Sequence, residues 1–127
     1  MIKIGTLLLV NGILTAFYAV LLLLFPEKFF EMRGMPHDAY AIFIARLMGP
    51  SQVGYAILSI LAARSNNRAT MRLVALISFI TWTLGGLILL LGKVTLEMNA
   101  SVWMDIVFAA VFSLAFGYHV FLKPQEQ

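Results

Sequence analysis

The chain has 127 residues, of which 61% are hydrophobic and only 12% are charged, with a net charge of +3 and a mean hydropathy of +0.93. Soluble domains contain roughly 45–50% apolar and about 25% charged residues, and so short a chain cannot bury such an excess of apolar surface. The composition excludes a soluble enzyme, a nucleic-acid-binding domain and a disordered segment as first interpretations. The absence of cysteine excludes thiolate metal sites and cysteine nucleophiles.

Four long apolar stretches divide the sequence. Each is long enough to cross the hydrocarbon core of a membrane as a helix, which needs about 20 residues, and a spanning segment must satisfy its own backbone hydrogen bonds. The first stretch is longer than a signal-peptide core and no small-residue cleavage site follows it, so we expect it to be retained. The sequence predicts an all-α, up-and-down bundle of four transmembrane helices, a single domain over residues 1–127 with spans at about 4–25, 40–63, 73–92 and 101–122.

The first connection, residues 26–39, predicts a short helix lying on the membrane surface. Pro26 suits the first turn of a helix and Glu27 favours its positive end. Gly34 and Pro36 predict its end. Apolar side chains such as Phe29 would then enter the interface while the charged ones face water.

Lysine and arginine are distributed unequally between the two sides of the predicted bundle, which indicates its orientation. Because cytoplasmic loops are enriched in these residues, the richer side predicts cytoplasmic N- and C-termini. One side carries Lys3, Arg64, Arg68, Arg72 and Lys123, and the other carries Lys28, Arg33 and Lys93.

Two ionisable residues lie inside predicted spans, which makes them candidates for function. Arg46 in the second span and Asp105 in the fourth are both expected roughly 6–9 Å below the helix ends on the same side of the membrane. An unpaired charge at the membrane centre costs about 2.5–3.5 kcal/mol even on the mildest scale, so the sequence predicts an Arg46–Asp105 ion pair. The pair could fix helix register, line a ligand pocket, or be absent if Arg46 extends to the interface instead.

The second span also contains Pro50, which has no N–H to pair with the carbonyl of Arg46. We expect a kink there, with Gln52 available to pair with the freed backbone groups. Trp82 lies in the middle of the third span, where its indole N–H needs a partner, and Asn11 is expected to hydrogen-bond a neighbouring helix. Arg46, Gln52, Trp82 and Asp105 together form the candidate ligand-binding residues.

Small residues recur every fourth position on two spans, a pattern that lets helix backbones approach closely. Because Arg46 adjoins one stripe and Asp105 begins the other, we expect the second span to pack against the fourth. The stripes are Ala41, Ala45 and Gly49 on the second span, and Asp105, Ala109, Ser113 and Gly117 on the fourth.

No cofactor or metal ion is indicated by the sequence, and no catalytic residue is assigned. His37 and His119 are expected on opposite sides of the membrane, so they cannot share a metal or haem. Nothing in the spans resembles an acid–base pair or an activated nucleophile, and an enzyme is therefore not expected.

Several short motifs resemble those of small bacterial four-helix membrane proteins of the DoxX-like kind. They are Leu-Phe-Pro-Glu at residues 24–27, Gly-Met-Pro at 34–36, Ala-Arg-Leu-Met-Gly at 45–49 and an arginine-rich second loop. The resemblance implies an up-and-down four-helix bundle in the bacterial inner membrane. DoxX itself is associated with a thiosulfate–quinone oxidoreductase, but no catalytic residue of that system has a counterpart here, so its activity is not carried over.

Two classes of function remain open. The first is a structural or accessory subunit of a membrane assembly, whose partners are the lipid bilayer and other membrane-protein subunits. The second is a quinone-linked redox component or a small-molecule transporter with a pocket near Arg46 and Asp105. Packing features outnumber chemical ones in the sequence, which favours the first class.

Overall fold

A computed structural model of the chain describes residues 2–123, a range slightly shorter than the predicted domain of residues 1–127. All regular structure in this range is helical, and four of the helices are long and apolar enough to cross a membrane. The protein is thus a multi-pass, all-α bundle, as the sequence predicts. The elements are α1 (Ile4–Leu24), α2 (Pro26–Met32), α3 (Ala39–Arg64), α4 (Arg68–Thr95) and α5 (Val102–Gly117), which continues as a π-helical turn (Tyr118–Leu122).

Short polar caps define where the helices begin. The carboxylate of Asp38 accepts a hydrogen bond from the backbone N–H of Ala41 at the start of α3, and the Asn67 side chain does the same for Thr70 at the start of α4. Asn66, with φ of +53°, makes the tight turn before α4. Because this cap and turn need only three residues, the polar segment that begins at Arg68 is helical, and α4 is longer than the predicted span of 73–92.

The helices form two closely packed pairs, α1 with α3 and α4 with α5, and α3 and α5 are not neighbours. The expected contact between the second and fourth spans is therefore wrong. Each stripe of small residues packs against the neighbouring span in the sequence, α3 against α1 and α5 against α4. Gly49 of α3 faces the side chain of Leu23 on α1. On the other pair, a Cβ added at Gly86 of α4 would lie 3.0 Å from the Cβ of Ala109 on α5. Short connections favour antiparallel neighbours.

The two ends of the bundle differ in character. We call the end with Lys3, the α3–α4 turn and Lys123 the basic end, and the opposite end, with α2 and the α4–α5 connection, the α2 end. Near the basic end the four spans enclose an apolar core in which Leu8, Ala75 and Phe116 are fully buried. Trp82 stacks on Phe112 of this core with 4.9 Å between ring centroids.

Candidate functional site

A buried ion pair lies at the α2 end, and its cation is Arg33. Arg33 Nε donates to Asp105 Oδ2 at 2.7 Å and its Nη2 donates to Oδ1 at 2.9 Å, so the contact is bidentate. Both residues are buried, with 7% and 6% of their surface exposed. The predicted Arg46–Asp105 pair is therefore wrong. Arg33 is the residue that directly follows α2, and the docking of this short helix on the bundle brings its guanidinium to Asp105.

Two aromatic side chains complete this cluster. The Tyr18 hydroxyl of α1 donates to Asp105 Oδ1 at 2.7 Å, and the Phe29 ring of α2 stacks on the Arg33 guanidinium at 4.0 Å. Asp105 also lies in the first turn of α5, where the helix dipole favours a negative charge. The two carboxylate oxygens thus accept three hydrogen bonds, which compensates for their removal from solvent.

Further hydrogen bonds fix α2 to the connection between α4 and α5. The backbone N–H of Asn99 donates to the Arg33 carbonyl at 3.0 Å, and the hydroxyl of Ser101 donates to the Met32 carbonyl at 2.6 Å. Gly34 turns beside Asn99 with φ of +65°, a conformation that favours glycine. The predicted interfacial helix is consequently a brace that links α1 to α5 across the α2 end.

The four candidate ligand-binding residues do not converge on one pocket. Arg46 is exposed and lines a small cleft at the α1–α2 junction beside Pro26 and Glu27. This position is compatible with the third alternative of the sequence analysis, in which the cation extends toward the interface. Asp105 is enclosed by Arg33 and Tyr18, and Trp82 is hydrogen-bonded elsewhere in the bundle.

A second polar cluster joins α1, α3 and α4 inside the membrane. The Asn11 carbonyl oxygen accepts a hydrogen bond from Trp82 Nε1 at 2.7 Å, and its amide donates to the Tyr55 hydroxyl and to Ser59 Oγ, both at 3.0 Å. Tyr55 in turn donates to Ser78 Oγ at 2.6 Å. Asn11, Ser59 and Ser78 are completely buried. The sequence predicted a hydrogen-bond partner for Asn11 and one for Trp82. Both predictions are confirmed, because the two side chains bind each other.

These clusters are closed hydrogen-bond networks. Within residues 2–123 every buried side-chain nitrogen and oxygen has a hydrogen-bond partner, and no three His, Asp or Glu side chains are grouped so that they could hold a metal ion. His119 contacts the Ile2 carbonyl at 2.9 Å, whereas His37 stacks on Phe30 at the other end. The clusters are therefore suited to fixing helix positions.

The outward face of α3 has a different character. Pro50, Ser51 and Gly54 are exposed near the middle of this helix, and nothing lies within 4 Å of a Cβ built on Gly54. Among the described residues the Ser51 hydroxyl and the Gln52 amide have no hydrogen-bond partner. Pro50 also deprives the Arg46 carbonyl of its usual donor. We call Arg46, Pro50, Ser51 and Gly54 the polar face of α3. Gln52 is half-buried and lies on the opposite side of the helix, on the stripe of Ala45 and Gly49 that packs against α1.

Several functional residues escaped prediction from the sequence. The sequence placed Arg33 among the cations of the first loop. Asp105 could have paired with any cation near the α2 end, so the sequence did not single out Arg33. Tyr55 and Ser59 are four residues apart, the same spacing as that of Asn11 and Thr15 on the inward face of α1. This spacing could have indicated that both side chains point into the bundle. Tyr18 was placed on the inward face of α1, but its partner could not be deduced.

Comparisons with protein-family models, with curated proteins and with solved structures found no match for this chain. What defines the protein is its architecture, that of a small multi-pass helical bundle with two internal polar clusters.

Proposed function

We propose that this protein is a structural or accessory subunit of a membrane assembly and that α3 forms its contact with a partner. The supporting observation is a contrast between α3 and α4. The same small fraction of each helix is buried, yet α3 is the least apolar of the four spans and α4 is one of the most apolar. The exposed surface of α4 therefore suits lipid throughout, whereas the apolar surface of α3 is interrupted by the polar face.

The unpaired groups on the polar face of α3 explain why a partner would bind there. Ser51 lies about 18 Å from the start of a helix that is about 39 Å long, near the middle of the membrane. An unsatisfied polar group in hydrocarbon costs several kcal/mol, and Gly54 allows a second backbone to approach closely. A partner helix with a hydrogen-bonding side chain would satisfy Ser51.

A small-molecule protein with a pocket near Arg46 and Asp105 is the weaker proposal. The two residues belong to separate environments, one exposed and the other enclosed by Arg33. A quinone-linked or transport role would need another site.

We further propose a bacterial inner membrane location with both termini in the cytoplasm. Its support is the DoxX-like resemblance and the excess of basic residues at the basic end. With Arg33 buried and Arg46 exposed at the α1–α2 junction, the α2 end presents Lys28, Lys93 and Arg46, so the excess at the basic end is unchanged.

Two glycines provide a matched test of the proposed contact. A Cβ added at Gly54 on α3 or at Gly85 on α4 would have nothing within 4 Å, so we expect leucine at either position to leave the bundle intact. In host membranes solubilised with mild detergent, Gly54→Leu should lower the native mass of the assembly while Gly85→Leu leaves it unchanged. Copies with two different tags distinguish a self-assembly from a mixed one. Equal native masses for both variants and the unmodified protein would contradict the proposal.

A further inference from the structure

A large cleft opens at the basic end between α1, the end of α3, α4 and the π-helical turn that follows α5. Its volume is about 1530 Å³, which exceeds the roughly 300–1,000 Å³ of most pockets for small soluble ligands. Lys3, Arg64 and Lys123 lie at its rim, and all three are exposed. Among the described residues, no aspartate or glutamate lines the cleft. We call it the basic cleft.

The lining changes from charged to apolar with depth. Leu9 lies about 9 Å along α1 from Lys3, and Leu76 lies about 12 Å along α4 from Arg68. Leu73 is exposed on the same wall. The cations therefore lie at the height of lipid headgroups while the leucines lie in the hydrocarbon region, a polarity gradient that matches an amphiphile standing parallel to the helices.

We infer that the basic cleft binds one anionic phospholipid, with its phosphate at Lys3, Arg64 and Lys123 and its acyl chains along Leu9, Leu73 and Leu76. Cationic side chains between transmembrane helices hold anionic headgroups by charge and hydrogen bonding. The size of the cleft and its apolar wall favour a lipid over a free anion. This inference is independent of the proposed contact on α3, which faces a different part of the bundle.

The charge requirement is tested with matched double variants of the full-length protein in a neutral detergent. Native mass spectrometry measures binding of phosphatidylglycerol and of phosphatidylcholine with identical acyl chains. Each lysine near an anionic headgroup contributes about 1 kcal/mol, or about fivefold in affinity. Lys3→Gln with Lys123→Gln should weaken phosphatidylglycerol binding by about 30-fold, whereas Lys28→Gln with Lys93→Gln at the α2 end should leave it within about twofold.

The apolar wall is tested with two tryptophans on one helix. Leu73 and Leu84 of α4 are 58% and 56% exposed and lie three turns apart on the same side, but Leu73 lines the cleft and Leu84 does not. Leu73→Trp should reduce phosphatidylglycerol binding at least about tenfold by filling the cleft, and Leu84→Trp should not.

Three results would overturn the inference. The first is equal binding of the two lipids, and the second is equal loss of binding in both lysine double variants. In the third, inorganic phosphate displaces phosphatidylglycerol at equal concentration, which would identify a site for a soluble anion.

Discussion

At the scale of single residues, the position of one carboxylate organises the α2 end of the bundle. Asp105 accepts hydrogen bonds from Arg33 and Tyr18, which come from two different parts of the chain. A buried ion pair contributes little net stability compared with apolar residues of equal volume, but removal of one partner leaves an uncompensated charge. The pair therefore specifies where α2 docks more than it adds to stability.

This asymmetry predicts different effects for the two arginines. Arg33→Ala should lower the free energy of unfolding by about 3–5 kcal/mol because Asp105 stays buried without its cation. Arg46→Ala should change it by less than about 1 kcal/mol, since Arg46 is exposed and has no ion-pair partner among the described residues. Reversible denaturation in mixed detergent micelles measures both values.

The double variant Arg33→Ala with Asp105→Ala is the control for this prediction. It should recover part of the loss, because it removes both charges together. Equal destabilisation by Arg46→Ala and Arg33→Ala would contradict the assignment of Arg33 as the one cation whose loss leaves a buried charge uncompensated.

At the scale of elements, close helix contacts explain why the bundle consists of two pairs. On the α1–α3 interface, a Cβ added at Gly12 would lie 3.0 Å from the Ala56 carbonyl oxygen and 2.6 Å from Ile60. Backbone cannot move aside as a flexible side chain can. The glycine therefore sets the distance between α1 and α3, and the hydrogen bonds of Asn11 and Ser59 then fix their register.

Gly12→Ala should accordingly destabilise the protein by about 1–3 kcal/mol, the usual range for overpacking a close contact. Gly54→Ala on the exposed side of α3 is the matched control, and it should be neutral or slightly stabilising because alanine is the better helix former. Thermal unfolding of the two variants in the same detergent compares them. A Gly12→Ala protein as stable as the Gly54→Ala protein would mean that the two helices can separate without loss.

At the scale of the whole molecule, the bundle is polarised along its axis. The α2 end is closed by the brace of α2 and the ion pair, whereas the basic end opens into the basic cleft. An even number of spans places both ends of the described range, Ile2 and Lys123, at the basic end. Orientation in the membrane thus decides which leaflet the basic cleft meets.

Single cysteines can establish this orientation, because the sequence contains none. His37 at the α2 end and Ala69 at the basic end are both exposed. With cytoplasmic termini, a membrane-impermeant maleimide should label His37→Cys on intact spheroplasts and should label Ala69→Cys only after the membrane is permeabilised. The reverse pattern would contradict the proposed orientation.

The sequence by itself determined the helical class and the four spans, because lipid permits few alternatives for long apolar segments. It also identified Asn11, Trp82 and Asp105 as buried polar groups in need of partners. Those needs are local properties, set by the chemistry of a side chain and its place in a span.

Only the tertiary structure decided which groups pair. Asp105 required a cation near one end of the bundle, and both Arg33 and Arg46 met that description in the sequence. The choice depended on the docking of α2 and on the separation of α3 from α5, which arise from contacts between residues far apart in the chain. Depth in a span follows from counting residues, whereas the neighbour of a helix depends on how all the helices pack together.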